Sequence, residues 1–190
     1  MIADQPEATV VVVDDEKEVA DAYALRLRGR YDVVTVYGGE EALAVIDDDT
    51  DVVLLDRFMP GISGDEVLRQ LREQGTECRI VMVTAVDPEL DILEMPFDDY
   101  LCKPVGSEDF VAAIDNQLRI LAFDKLSEFF RLESKRAVVS AAVPENALAD
   151  HPDYQATEAE AEALEADLRG LLADFDRILE EFRAIEREQS

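Results

Sequence analysis

Several residue types that mark common classes of protein are missing or scarce in this chain of 190 residues. No stretch of 18 or more residues is apolar throughout, and no charged leader precedes an apolar segment, so we expect a soluble cytoplasmic protein with no membrane partner. Tryptophan is absent and histidine occurs once. The two cysteines, Cys78 and Cys102, flank different predicted strands, which predicts reduced thiols rather than a disulfide.

Basic residues are also scarce. Lysine and arginine together number 18 against 45 aspartates and glutamates, which gives a net charge of −27. The acidic excess is present both before and after Ala122, so the sequence contains no separate basic arm that would bind nucleic acid by charge alone. Such a surface is typical of proteins from extreme halophiles, where salt screens the repulsion between like charges. An acidic protein from an organism living at ordinary salinity is the alternative.

Short apolar runs alternate with helical segments in the first part of the chain. The runs are rich in β-branched residues and lack polar alternation, as strands covered on both faces should; they are TVVVV, YDVVTV, DVVLL, RIVMVT and DDYLC. Residues 19–27 show helical spacing, and Ser63 with Glu66 predicts a capped start for another helix. The interval Asp87–Pro96 has room for only a turn or two of helix. The pattern predicts an α/β fold, a doubly wound five-stranded parallel sheet between two helical layers.

The rest of the chain is predicted to be helical. A helix begins near Ser107, and the stretch at 126–138 either continues it or forms another helix. Val143–Asp153 must interrupt the helix, because it contains two prolines. Residues 154–185 then place apolar side chains three and four positions apart, which predicts a helical hairpin or coiled coil. A lone helix cannot bury this stripe, so we expect it to pack on the 126–138 helix, on a second copy of the chain, or on both.

Polar side chains follow four of the predicted strands. Asp14 and Asp15 come after the first strand and Asp56 after the third, while Thr84 and Lys103 follow the fourth and fifth. The carboxyl ends of parallel strands meet at one edge of a sheet, so we expect these residues to share a crevice. Each has an ordinary structural explanation when taken singly, such as a helix cap or a strand end. Their joint occurrence in this order favours a functional site.

Three neighbouring carboxylates repel one another, and a hard cation such as Mg²⁺ relieves that repulsion. In the simplest arrangement Asp15 and Asp56 bind Mg²⁺ directly, Asp14 acts through water, and the backbone carbonyl of Phe58 adds a further oxygen. Asp56 then attacks the phosphorus of a bound donor and becomes an acyl phosphate, while Lys103 neutralises the charge on the transferred group.

Four segments make the first part of the chain resemble the receiver domain of two-component response regulators. They are VVVVDDE at Val10–Glu16, LLDRFMPGISGDEVL at Leu54–Leu68, VTA at Val83–Ala85 and YLCKP at Tyr100–Pro104. The resemblance implies a receiver domain over residues 8–122, a flavodoxin-like strand order of 2-1-3-4-5, and a cis bond between Lys103 and Pro104. It also implies a sensor histidine kinase as partner and the following roles: phosphoacceptor Asp56, acidic metal-site residues Asp14 and Asp15, phosphoryl contact Lys103, and switch residues Thr84 and Tyr100.

The segment from Asp124 to Ile185 resembles the HalX domain, which follows receivers in haloarchaea, and we expect a helical domain over residues 123–190. This resemblance implies no biochemical activity. His151 lies between Asp150 and Pro152 in the interrupting loop and is expected to have no role in a phosphorelay.

Three functions compete at this point. The preferred one is a non-enzymatic signalling switch that is phosphorylated on Asp56 and acts through its helical domain, by forming a homodimer or by binding a helical partner through residues 154–185. The second is a transcription regulator that contacts DNA with the basic cluster Arg131, Lys135 and Arg136. The third is a metal-dependent phosphatase, but Phe58 stands two residues after Asp56, where such an enzyme needs an acid.

Overall fold

The computed structural model describes residues 8–88, 90–148 and 151–188. They divide into two compact units, the first ending at Leu121 and the second beginning at Ala122. The first unit is built on a parallel sheet of five strands in the order β2-β1-β3-β4-β5. The strands are β1 (Thr9–Val13), β2 (Asp32–Val36), β3 (Val52–Asp56), β4 (Arg79–Thr84) and β5 (Asp99–Cys102). The predicted α/β fold and its strand order are confirmed.

Helices cover both faces of this sheet. They are α1 (Lys17–Leu27), α2 (Gly39–Val45), α3 (Gly64–Glu73) and the first part of α4 (Ser107–Ala142). Successive residues of each strand face opposite sides of the sheet, which creates two cores. Val11, Val53 and Ile80 pack with residues of α2 and α3. Val10, Val52 and Val81 pack instead with α1 and with Phe110 of α4.

Strand position decides how far each apolar run is buried. All five residues of β3 are buried, and so are four of the five in β1, whereas the edge strands β2 and β5 are only partly covered. The sequence-based expectation of strands covered on both faces therefore holds for the centre of the sheet and not for its edges. In α1 the buried residues are Ala20, Ala24 and Leu27, while Leu25 is 72% exposed. Leu25 therefore follows the helical spacing without joining the core.

Two local predictions can be checked directly. The backbone N–H of Glu66 donates to the Ser63 side chain at 3.3 Å, so Ser63 caps α3 as predicted. The short interval after β4 holds a single 3₁₀ helix, Leu90–Glu94, in place of a full helix.

The second unit is a set of packed helices. Helix α4 runs without a break to Ala142, and is followed by α5 (Glu145–Leu148), α6 (Pro152–Leu171) and α7 (Phe175–Glu188). Their core is formed by Phe129 and Leu132 of α4 with Ala161, Leu168, Phe175 and Leu179. Among the described residues, no helix is both long and apolar enough to cross a membrane.

The structure decides between the two arrangements predicted for residues 154–185. The helix ends at Leu171 and starts again at Phe175, so the segment is a hairpin of two helices rather than one long coiled-coil helix. The hairpin buries its apolar residues against α4 of the same chain, where Phe129 meets Phe175 edge-on at 5.6 Å and Phe130 stacks on Phe182 at 4.0 Å. The side chain of Ile185, which the sequence places in this stripe, lies outside the described residues.

Candidate functional site

The side chains of Asp14, Asp56 and Lys103 meet at the carboxyl edge of the sheet. Asp14 follows β1, Asp56 ends β3 and Lys103 follows β5. The Lys103 Nζ atom lies 2.7 Å from Asp14 Oδ2 and 2.6 Å from Asp56 Oδ1. Residues separated by up to 89 positions in sequence thus form one ion-paired cluster, as the strand topology predicts.

Burial and charge act in opposite directions on this cluster. Asp14 is 2% exposed and Asp56 is 7% exposed. Burial raises the pKa of Asp56 above its ordinary value, although the Lys103 ammonium opposes this shift. Burial also lowers the pKa of Lys103, but its hydrogen bonds to Asp14 and Asp56 outweigh that effect, so the pKa of Lys103 is raised overall. Lys103 therefore stays protonated and can receive a further anionic group.

The backbone holds the Asp56 carboxylate in a fixed orientation. Its Oδ2 atom accepts a hydrogen bond of 2.9 Å from the Phe58 N–H, while its Oδ1 atom faces Lys103. The loop that follows is closed by the Gly64 N–H, which donates to the Arg57 carbonyl at 2.9 Å. A Cβ atom on Gly64 would lie only 2.1 Å from the backbone oxygen of Asp56, so only glycine fits here.

Two residues near Asp56 were missed by sequence reasoning. Gly64 is one of them, and the spacing of the glycines in PGISGD after Asp56 was the available signal. Arg57 is the other: it is only 8% exposed, its Nε lies 3.1 Å from Asp65 Oδ1, and its guanidinium lies 5.3 Å from the centre of the exposed Phe58 ring. No sequence pattern indicated that this arginine would be buried.

Thr84 and Tyr100 both contact the turn that follows β4. The Thr84 hydroxyl is buried and accepts a hydrogen bond of 3.3 Å from the Val86 N–H. The Tyr100 hydroxyl donates to the Val86 carbonyl at 2.9 Å. The backbone N–H of Lys103 donates to the Thr84 carbonyl at 2.7 Å, and the Lys103–Pro104 bond is cis. The two residues for which the family resemblance implies a switch role therefore both bond to Val86.

The predicted metal ligands are only partly gathered. Asp15 is half-buried beside Asp14, but it makes no hydrogen bond or ion pair with Asp56 or Lys103. Over residues 8–88, 90–148 and 151–188, no group of three or more acidic, histidine or cysteine side chains has an arrangement that would hold a metal ion. The donors still suit Mg²⁺, because Asp14 and Asp56 offer hard oxygens that already converge on one cation, and Mg²⁺ commonly takes only one or two protein carboxylates.

Comparison with known families gives this geometry its context. The model of the response regulator receiver domain matches residues 10–115, and that of the HalX domain matches residues 119–185. The chain therefore belongs to the two-component response regulators that carry a receiver domain. More particularly, it joins a receiver domain to a HalX domain, and both are signalling domains rather than enzyme families.

Individual relatives agree with this assignment. A protein of Haloferax volcanii named "Putative transcriptional regulator" is 48% identical over 135 residues, which cover 70% of this chain but only 23% of that protein. A signal receiver domain from Vibrio parahaemolyticus shares the fold, with a TM-score of 0.60 and 21% identity over 64% of this chain and 97% of the other. The BeF₃-activated receiver domain of DrrB, a Thermotoga maritima protein, gives a TM-score of 0.55 and 28% identity over 60% and 98% of the two chains. The haloarchaeal relative supports the halophilic origin that the acidic composition predicts.

Proposed function

We propose that this response regulator is switched by reversible phosphorylation of Asp56. The observation that carries the proposal is the ion-paired cluster, in which Lys103 Nζ bridges the buried carboxylates of Asp14 and Asp56 at 2.7 and 2.6 Å. An Asp56 oxygen attacks the phosphorus of the donor, the bond from phosphorus to the donor's leaving group breaks, and an acyl phosphate forms on Asp56. Lys103 stays protonated and neutralises the transferred phosphoryl oxygens.

The proposal includes a Mg²⁺ ion, because the crevice offers carboxylate and carbonyl oxygens that can bind it. Asp15 and Asp56 are the proposed direct ligands, the Phe58 carbonyl is a further one, and Asp14 acts through water. The ion would neutralise charge on the transferring group. The protein's own contribution is to keep the Asp56 carboxylate oriented through the Phe58 N–H and to keep Lys103 charged beside it.

The proposed switch follows from the hydrogen bonds around Val86. Thr84 gives up its hydrogen bond from the Val86 N–H when its hydroxyl turns to donate to a phosphoryl oxygen. The Tyr100 hydroxyl holds the carbonyl of the same residue, so movement of Val86 releases the Tyr100 ring as well. A bias of about 1–3 kcal/mol between two arrangements of this segment is enough for signalling.

A sensor histidine kinase is the proposed phosphodonor, and the helical domain is the proposed output. The stripe at 154–185 is already covered by α4 of the same chain, so we propose that output proceeds by binding another helical partner or a second copy through other surfaces of this domain.

The free thiols of Cys78 and Cys102 fit a reducing compartment, and we propose a cytoplasmic location.

DNA binding is a second candidate because the Haloferax volcanii relative is named as a transcriptional regulator. The basic cluster of Arg131, Lys135 and Arg136 gives only weak support to DNA binding, because most of its charge is already paired. Arg131 pairs with Glu128, and Arg136 pairs with both Glu133 and Glu158. Only Lys135 of the three makes no ion pair with a described residue, whereas binding to phosphates at high salt requires several unpaired cations.

Metal dependence of acyl phosphate formation tests the proposed chemistry. Incubation with acetyl phosphate should add one phosphoryl group to the protein, as read by intact mass, with Mg²⁺ present and not after chelation with EDTA. Asp14→Asn and Asp15→Asn should each raise the Mg²⁺ concentration needed, while the exposed Asp48→Asn should leave it unchanged. If phosphorylation is equally extensive in EDTA and in Mg²⁺, the proposed role of the metal ion is wrong.

A further inference from the structure

One cleft in the second unit collects residues that the proposed phosphoryl chemistry leaves without a role. It lies where the end of α4, helix α5 and the start of α6 come together, and has a volume of about 480 Å³. Lys135 and Arg136, two members of the basic cluster described above, line it together with His151, the only histidine of the sequence. The volume lies within the range of about 300–1,000 Å³ that is usual for small-molecule sites.

The lining also offers apolar surface. Val139 of α4 and Val143, which follows the end of that helix, are 39% and 36% exposed, so a ligand in the cleft would cover side chains that now face water. Ala147 and the buried Leu148 contribute from α5. The cleft thus combines an aliphatic wall with basic groups, a combination that suits an amphipathic molecule.

The ion pairs determine which charge that molecule should carry. Arg136 is already neutralised by Glu133 and Glu158. Lys135 makes no ion pair with a described residue, in contrast to Lys103 and Lys125. Among the described residues that line the cleft, Lys135 therefore offers an ammonium group that is not engaged in an ion pair.

Nearby acids limit how much negative charge the ligand can have. Asp153 belongs to the lining, and Glu133 and Glu158 lie beside Arg136. A polyanion would meet these carboxylates, whereas a single carboxylate can pair with Lys135 alone.

We propose that this cleft binds a small organic acid with one carboxylate and a short aliphatic or aromatic body. The carboxylate pairs with Lys135, and the body lies against Val139, Val143 and Ala147. Such a site would let a metabolite-sized ligand act on the helical domain independently of Asp56.

Three probes of matched size test the proposal with the full chain at constant KCl concentration. Hexanoate, hexanol and hexylammonium are titrated while amide signals are followed by ¹H–¹⁵N NMR. Hexanoate should saturate with one site and shift signals of residues that line the cleft. Hexanol should bind at least about fivefold more weakly, and hexylammonium should not saturate.

Variants separate the charge from the cavity. Lys135→Gln should weaken hexanoate binding about fivefold and leave hexanol unchanged, whereas Ala147→Phe should fill the cleft and abolish both. Arg131→Gln, on the same helix but outside the lining, is the matched control and should bind hexanoate normally. If Ala147→Phe does not fold, the exposed Lys135→Gln still decides the question. No saturation by hexanoate, or equal binding of hexanoate and hexanol in the wild type, would overturn the proposal.

Discussion

At the residue scale, Lys103 controls the electrostatics of the crevice because it is the shared counter-ion of two buried carboxylates. Replacing it in Lys103→Met should lower the free energy of unfolding by about 3 kcal/mol at pH 7, since the buried carboxylates of Asp14 and Asp56 would lose their counter-ion. Urea denaturation measures this loss. Lys125→Met is a suitable control: Lys125 is similarly exposed, at 18% against 17%, but its partner Asp167 is half-exposed. The control should lose no more than about 1 kcal/mol.

The pH dependence of that loss distinguishes charge from packing. Burial keeps the pKa of Asp56 in the folded protein above its ordinary value of 3.8. As the pH falls, the folded state therefore binds a proton on Asp56 before the unfolded state does, and this protonation stabilises the folded state. The penalty of Lys103→Met should therefore shrink as the pH is lowered towards 4. In the wild type, the stability supplied by charged Lys103 is fully present below pH 10.5 and is lost as the pH rises through its raised folded pKa. An equal penalty at pH 4 and pH 7 would assign the effect to packing instead.

Gly64 shows how closely the backbone approaches Asp56. An alanine here would place its Cβ 2.1 Å from the Asp56 carbonyl oxygen, so the strand end must shift. Gly64→Ala should cost about 1–3 kcal/mol of stability and slow the phosphorylation of Asp56 by acetyl phosphate. Gly38→Ala is the control, because nothing lies within 4 Å of its added Cβ. Unchanged rates in both variants would show that the loop adapts without moving Asp56.

The sequence predicted which residues of the site lie close together, but not which contacts their side chains make. Asp14, Asp56 and Lys103 could be brought together because topology alone gathers the ends of parallel strands. The salt bridge from Lys103 to both carboxylates could not, because it depends on side-chain directions that spacing does not specify. Asp15 shows the same limit, since its position after β1 suggested a ligand but its side chain does not join the ion-paired cluster.

At the element scale, the strands of the sheet were predictable, whereas the position of the break between α6 and α7 was not. Runs of β-branched residues identify β1, β3 and β4 because central parallel strands are apolar throughout. Leu172, Ala173 and Asp174 separate α6 from α7 without a proline, and only Gly170 nearby weakens the helix. The turn exists because α7 gains its contacts by packing with α6 and α4, which is a tertiary effect.

Phe129 is the test of that packing. It is 1% exposed and contacts Phe175 at 5.6 Å, so Phe129→Ala should destabilise the helical unit by about 3–5 kcal/mol. Phe123 lies on the same helix but is 59% exposed, and Phe123→Ala should change stability by less than about 1 kcal/mol. Thermal unfolding followed by circular dichroism measures both. Equal effects would mean that the hairpin does not bury Phe129 in solution.

At the scale of the whole molecule, the net charge of −27 makes stability depend on salt. Screening of this self-repulsion should raise the midpoint of thermal unfolding as KCl increases from low to molar concentration. EDTA in every sample separates screening from the binding of divalent cations. A midpoint independent of KCl would contradict the halophilic interpretation of the acidic surface.

The most direct test of the account is the identity of the phosphorylated residue. Wild-type protein and Asp56→Asn are incubated with acetyl phosphate and Mg²⁺, and intact mass, fragment masses and elution volume are recorded on the same samples. The wild type should gain one phosphoryl group located on Asp56, with a changed elution volume if output proceeds through self-association, and Asp56→Asn should gain none. A phosphoryl group of the same stoichiometry on Asp56→Asn would contradict the assignment of Asp56 as the acceptor.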